Sequence, residues 1–146
     1  METKHNKQNK IVKNVSSFEC YDTLSNCHNA RLIDVRTEPE WDFIGMPDLS
    51  GLDKKTIFVS WNVYPSMEIN KKFLDEIKDN SVSTNDNLFL ICRSGQRSHS
   101  AANFLLMNGF NKCKNVKDGF EGILNKHNKR STIKGWKFSN LPWYQK

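Results

Sequence analysis

Apolar residues along this chain fall into short runs separated by amphipathic stretches. "NLFLIC" (87–92) is an unbroken apolar run after its first residue, and "RLIDV" (31–35) and "TIFVSW" (56–61) are nearly so. Runs of this length, rich in branched and aromatic residues, read as strands buried on both faces. "IVKNV" (11–15) and "KNVK" (114–117) read as two further, shorter strands.

The intervening segments carry helix signals. "SSFE" is a capping box, with Ser16 as N-cap and Glu19 three residues on, and it predicts a helix through about Leu24. "TEPE" (37–40) is a second capping box, with Pro39 in the first turn, where a missing N–H costs little. The helix it opens is short and ends near Gly45. In "MEINKKFLDEIKD" (67–79), Ile69, Phe73, Leu74 and Ile77 share one face of a predicted amphipathic helix. Residues 98–108 form another, with Ala101, Ala102, Leu105 and Leu106 turned inward and Gly109 as its C′ residue. "DGFEGILNK" reads as a glycine-bounded turn into a short helix. The tail "GWKFSNLPWYQK" reads as irregular, with Trp136, Pro142 and Trp143 packed on the body. Alternating strands and helices predict an α/β domain with a mostly parallel sheet, and ligands of such sheets bind beyond the carboxyl ends of the strands.

Length and composition narrow this picture. A chain of 146 residues is one domain, large enough to bury a core without disulfide or metal staples. Residues 1–10, "METKHNKQNK", are polar throughout and read as a disordered tail, leaving 11–146 as the domain. That tail has no apolar segment of the secretory kind, and no run approaches the roughly 18 apolar residues of a membrane span. A cytoplasmic protein without membrane contact is therefore expected. The net charge of +6 comes from lysines scattered among asparagines. They read as a solvated surface, and nucleic acid is not an expected partner.

Cys20, Cys27, Cys92 and Cys113 form no C-x-x-C pair and no metal-ligand spacing, so neither zinc nor any other cofactor is expected. Three of the four read as small buried apolar residues. Cys92 differs. It ends a strand, and "CRSGQRS" (92–98) follows it. With a helix starting at about Ser98, residues Arg93 to Arg97 form a bridge. If that bridge curls, its amides point at the sulfur, and the helix N-terminus adds its own unpaired N–H groups. Gly95 supplies the backbone freedom such a curl needs. These groups favour a thiolate, which is a nucleophile. Arg93 and Arg97 offer forked donors to an anionic substrate. Ser94 and Ser98 either cap the helix or donate to the ligand, Gln96 contributes its amide, and His99 is expected to point outward.

With these residues in hand, the chain resembles the rhodanese family of sulfurtransferases, as a single-domain member. "LIDVRTEPEW" (32–41) is similar to the family's first signature and "CRSGQRS" to its active-site loop. "NVKDGFEG" (115–122) is similar to its later glycine motif and "GWKFSNLPW" (135–143) to its closing segment. The resemblance implies a central five-stranded parallel sheet flanked by helices. It also implies a ping-pong reaction in which Cys92 takes a sulfane sulfur from a small anionic donor such as thiosulfate, becomes a persulfide, and passes the sulfur to cyanide or a thiol. Protein donors or acceptors of sulfur are further possible partners. Arg97 would close the loop, and the amides of Arg93 through Ser98 would hold the persulfide. Asp34, Arg36 and Glu40 would be structural or line the rim, with Arg36 expected to pair with Glu40. "IGMPDLSG" (44–51) and "VSWNVYPSM" (59–67) depart from the family's pattern and are expected at the pocket wall.

Two rival functions fit parts of the pattern. A phosphatase or arsenate reductase of the related fold would need Cys-x5-Arg, to ring a tetrahedral anion with amides, whereas Cys92 to Arg97 is Cys-x4-Arg. A non-catalytic docking module of the same family would not need the intact loop.

Overall fold

A computed structural model describes residues 11–146, so the expected tail at 1–10 lies outside the described residues. Five strands build the central sheet: β1 (Lys13–Val15), β2 (Ala30–Asp34), β4 (Ile57–Phe58), β7 (Asn87–Ile91) and β8 (Lys112–Val116). Their order is β1-β8-β7-β2-β4, and every pairing is parallel. The two longest apolar runs, β2 and β7, lie side by side near the middle, in register from Ala30 with Asn87 to Asp34 with Ile91.

Alternation along these strands divides the core into two layers. Ile33, Leu88 and Leu90 face α3 (Phe73–Asp79) and α4 (Gln96–Met107), meeting Phe73, Ile77, Ala101, Ala102, Leu105 and Leu106. Leu32, Phe89 and Ile91 face the other way, toward Cys20 and Leu24 of α1 (Ser17–Asn26) and toward Phe120 and Trp136. Both faces of the sheet are thus covered, as its apolar runs require. Ser16 caps α1 as expected, its hydroxyl accepting the Glu19 N–H at 3.1 Å. α2 (Glu38–Ile44) carries Pro39 in its first turn and ends at Gly45.

Three expectations fail locally. The helix expected over 67–79 begins only at Phe73. Residues before it form a hairpin of β5 (Asn62–Val63) and β6 (Glu68–Ile69), and Ile69 is 57 % exposed. Ile69 shares the helical spacing of Phe73 and Ile77, but Met67 takes a left-handed backbone (φ 62°) and its N–H bonds to the Val63 carbonyl, closing a turn instead. The turn at 118–122 leads into no helix; Phe120 is buried, while Ile123 and Leu124 stay exposed. The tail is more ordered than expected. Trp136 is buried, and β9 (Trp143–Tyr144) pairs antiparallel with β3 (Met46–Pro47), leaving Pro142 and Trp143 exposed.

Candidate functional site

Cys92 follows the last residue of β7, at the carboxyl edge of the sheet. α4 begins at Gln96, two residues earlier than expected, so the bridge is Arg93, Ser94 and Gly95 alone. Gly95 makes this turn possible. Its φ is +109°, and a Cβ there would stand 2.2 Å from the Lys117 carbonyl oxygen. The turn is pinned from below by Phe120, whose N–H donates to the Cys92 carbonyl at 2.8 Å, and by Glu121 and Gly122, whose N–H groups donate to the Arg93 carbonyl. Gly119 permits that contact, because a Cβ on it would meet the Arg93 carbonyl oxygen at 2.3 Å.

The sulfur sits inside the turn. The Gly95 N–H donates to Cys92 Sγ at 3.2 Å, and Ser98 Oγ stands 3.2 Å from the same atom. Cys92 is 1 % exposed and packs with the core layer of α4, so the sulfur is nearly closed off from solvent. Arg93 and Gln96 are exposed, Ser94 is half-buried and Ser98 is fully buried; His99 points outward as expected.

Two ion pairs flank the turn, and they correct the expected pairing of Arg36 with Glu40. Arg36 turns inward instead, onto Asp34 two residues before it. Its Nε and Nη2 donate to the Asp34 carboxylate at 2.9 and 2.7 Å, and Nη2 also reaches the Gly45 carbonyl. Both side chains are fully buried, and the guanidinium lies 4.3 Å from the centre of the Phe120 ring. Among the described residues its Nη1 has no hydrogen-bond partner.

Glu40 reaches across to α4, where Arg97 Nη1 and Nη2 donate to its two oxygens at 2.7 and 2.9 Å. The Thr37 N–H and hydroxyl also donate to Glu40 Oε1. Burial pushes the Glu40 carboxyl up, but the hydrogen bonds and charge of Arg97, with those from Thr37, outweigh it and bring the group down to about 2. The same pairing raises Arg97 against the opposing effect of its burial.

Asn115 was missed by sequence reasoning. It is a buried asparagine of β8 that bonds both Ser98 and the Gly95 carbonyl. Its signal was faint: one polar residue beside Val116 in a strand whose lysines already looked solvated. The other cysteines stand apart. Cys20 is buried in the α1 layer, where burial pushes its thiol well up. Among the described residues, no group of three or more His, Cys, Asp or Glu could hold a metal ion. No helix there is long and apolar enough to cross a membrane. The departing segments do line the site's flank: Ser60 Oγ donates to the Arg36 carbonyl, and Gly45 accepts from Arg36. Beyond them an 820 Å3 groove, lined by residues including Glu38, Trp41, Phe58 and Tyr64, contains no residue of the Cys92 turn.

Comparison with known proteins agrees with this arrangement. Residues 12–146 match the family model described as STR4 middle domain. Protein RC0915 of Rickettsia conorii is 42 % identical over 132 residues, covering 90 % of this chain and 97 % of that protein. The crystal structure of Rv0390 from M. tuberculosis superimposes with a TM-score of 0.85 at 35 % identity, over 93 % of this chain and 99 % of the other. The chloroplastic rhodanese-like domain-containing protein 4 of Arabidopsis thaliana is 29 % identical across 96 % of this chain, which spans 27 % of that longer protein. The chain therefore belongs to the STR4 middle domain family and is a single rhodanese-like domain.

Proposed function

We propose that this protein carries a sulfane sulfur on Cys92, from a small anionic donor such as thiosulfate to a thiophilic acceptor, cyanide or a thiol. The observation that carries this reading is the size of the turn. Three residues bridge Cys92 and α4, and the Gly95 N–H already meets Sγ. Such a turn has room for one sulfur atom more readily than for a tetrahedral phosphate.

In the first half-reaction the Cys92 thiol loses its proton to solvent, and the thiolate attacks the outer sulfur of thiosulfate. A sulfur–sulfur bond forms to Sγ, and the bond to the sulfonate sulfur breaks with its electron pair, releasing sulfite. In the second, cyanide or a thiolate attacks the outer sulfur of the persulfide and the electron pair returns to Sγ. The amides of the turn stabilise the anionic outer sulfur without needing to reorganise. Arg93, exposed at the turn, meets the donor's charge. Arg97 joins it as its pair with Glu40 loosens, which also eases entry to the nearly closed sulfur. Ser94 and Gln96 line the entry, and Ser98 backs the sulfur from within. A reducing cytoplasm, the expected compartment, keeps Cys92 available between cycles.

The test is thiocyanate formation from thiosulfate and cyanide. The wild type is expected to turn over and Cys92→Ser to be inactive. Hydrolysis of p-nitrophenyl phosphate with no thiocyanate formed would overturn the reading in favour of a phosphatase.

A further inference from the structure

Behind Cys92, four residues close a ring of hydrogen bonds whose donors can be assigned without ambiguity. The Gly95 carbonyl can only accept, so the Asn115 atom 3.0 Å from it is Nδ2. That nitrogen's second hydrogen goes to Asn14 Oδ1 at 3.0 Å. Asn115 must therefore present Oδ1 to Ser98, and Oδ1 can only accept, so the single Ser98 hydroxyl hydrogen points at Asn115. Ser98 then offers a lone pair to Cys92 Sγ, 3.2 Å away. The contact is a hydrogen bond only when sulfur is the donor. The ring closes through the Gly95 N–H, which donates to Sγ. Each member gives one bond and takes one, and Ser98, Cys92 and Asn115 are all buried.

We infer that Asn115 is a positioning residue that turns the Ser98 hydroxyl away from the sulfur, so the resting protein stores Cys92 as an uncharged, hydrogen-bond-donating thiol. This rests on the reading of Cys92 as the sulfur carrier and deepens it. Losing the S–H hydrogen, by ionisation or by formation of the S–S bond, sets a sulfur lone pair against the Ser98 lone pair. Ser98 can then serve the sulfur only by rotating and leaving a buried Asn115 oxygen without a donor, a costly state in a dry interior. The ring therefore distinguishes the empty carrier from the loaded one. Loading weakens the link from the turn to β8.

The charged groups packed around Cys92 are Arg97 of α4 with its partner Glu40 of α2, and the Asp34–Arg36 pair at the end of β2. Arg93 and His99 are exposed nearby, and Lys117 and Asp118 follow β8. All of these remain in place when Asn115 or Ser98 is changed, so their field cancels in comparisons between variants.

Two measurements on the full chain, neither using a sulfur donor, test the inference. One is the pH profile of Cys92 alkylation by iodoacetamide, followed on the Cys92 peptide by mass spectrometry. The other is the S–H stretching band of Cys92 in the infrared, isolated by subtracting the Cys92→Ser spectrum. Ser98→Ala removes the acceptor, so the band should move to higher frequency and the alkylation midpoint should fall by about half a pH unit to one unit, the size of one exchanged hydrogen bond. Asn115→Ala frees Ser98 to donate to the thiolate and should lower the midpoint at least as far. In the Ser98→Ala background it should add nothing, an outcome that general loosening of β8 would not produce. Should Asn115→Ala fail to fold, Asn14→Ala, at an exposed position, loosens the same amide without adding charge and should lower the midpoint in the same direction. A midpoint that rises in Ser98→Ala would show Ser98 donating to the sulfur and overturn the inference, as would an unmoved S–H band. Failure to form thiocyanate with these shifts present would refute the sulfur-carrier reading and leave the ring assignment standing.

Discussion

Two arginine–carboxylate pairs flank the cysteine turn, and they are built for different tasks. The Asp34–Arg36 pair is fully buried, spans two residues, and is held further by the Gly45 carbonyl and the Phe120 ring. The Glu40–Arg97 pair is about one-fifth exposed and joins α2 to α4 across 57 residues of sequence. Burying a charge pair is worthwhile only when its geometry is nearly complete, and removing one partner then strands the other. A pair at the water boundary contributes little to stability and can open. The first fixes the end of β2 beside the cysteine turn. The second is a fastening over the turn, the part expected to yield when a donor enters.

Substitutions can break this contrast in descending order of effect. Arg36→Ala leaves the Asp34 carboxylate buried and unpaired, and should cost about 3 to 5 kcal/mol in urea denaturation. Equal losses from Arg36→Ala and Glu40→Gln would erase the distinction. Ile77→Ala, in the core layer on the opposite face of the sheet, should cost about 2 to 5 kcal/mol. Glu40→Gln should cost about 1 kcal/mol or less, since the pair is partly hydrated, while speeding alkylation of Cys92 at neutral pH by freeing the cover. Its pH dependence has a defined sign. The folded-state carboxyl is depressed from 4.5 to about 2, so the pair's contribution is present in full above the ordinary value and is lost as pH falls from there through about 2. Urea midpoints of wild type and Glu40→Gln should therefore converge in acid. Smallest of all, Ile69→Ser on the exposed hairpin should stay within about 0.5 kcal/mol of wild type.

The contrast between Ile69 and Ile77 also marks what the sequence could and could not reveal. The sheet was legible because Leu88 to Ile91, and Leu32, Ile33 and Val35 on the neighbouring strand, are apolar and buried, a pattern that few other environments accept. The cysteine turn was legible because glycine, two arginines and a strand end coincide at Cys92. The hairpin was not, because Ile69 continues the spacing of Phe73 and Ile77, and only a positive φ at Met67 breaks the periodicity. The partner of Glu40 was hidden for a related reason. Sequence proximity favoured Arg36, whereas the early start of α4 at Gln96 swings Arg97 toward α2. Asn115 stayed hidden because its role depends on which atoms face Ser98 and Gly95, and no spacing rule carries that information.

The most direct test of Cys92 as a sulfur carrier is the intact mass of the protein after incubation with thiosulfate. The wild type should gain one sulfur atom, lose it on addition of cyanide, and show neither change as Cys92→Ser. A wild type whose mass never moves, or a gain that survives in Cys92→Ser, would contradict it.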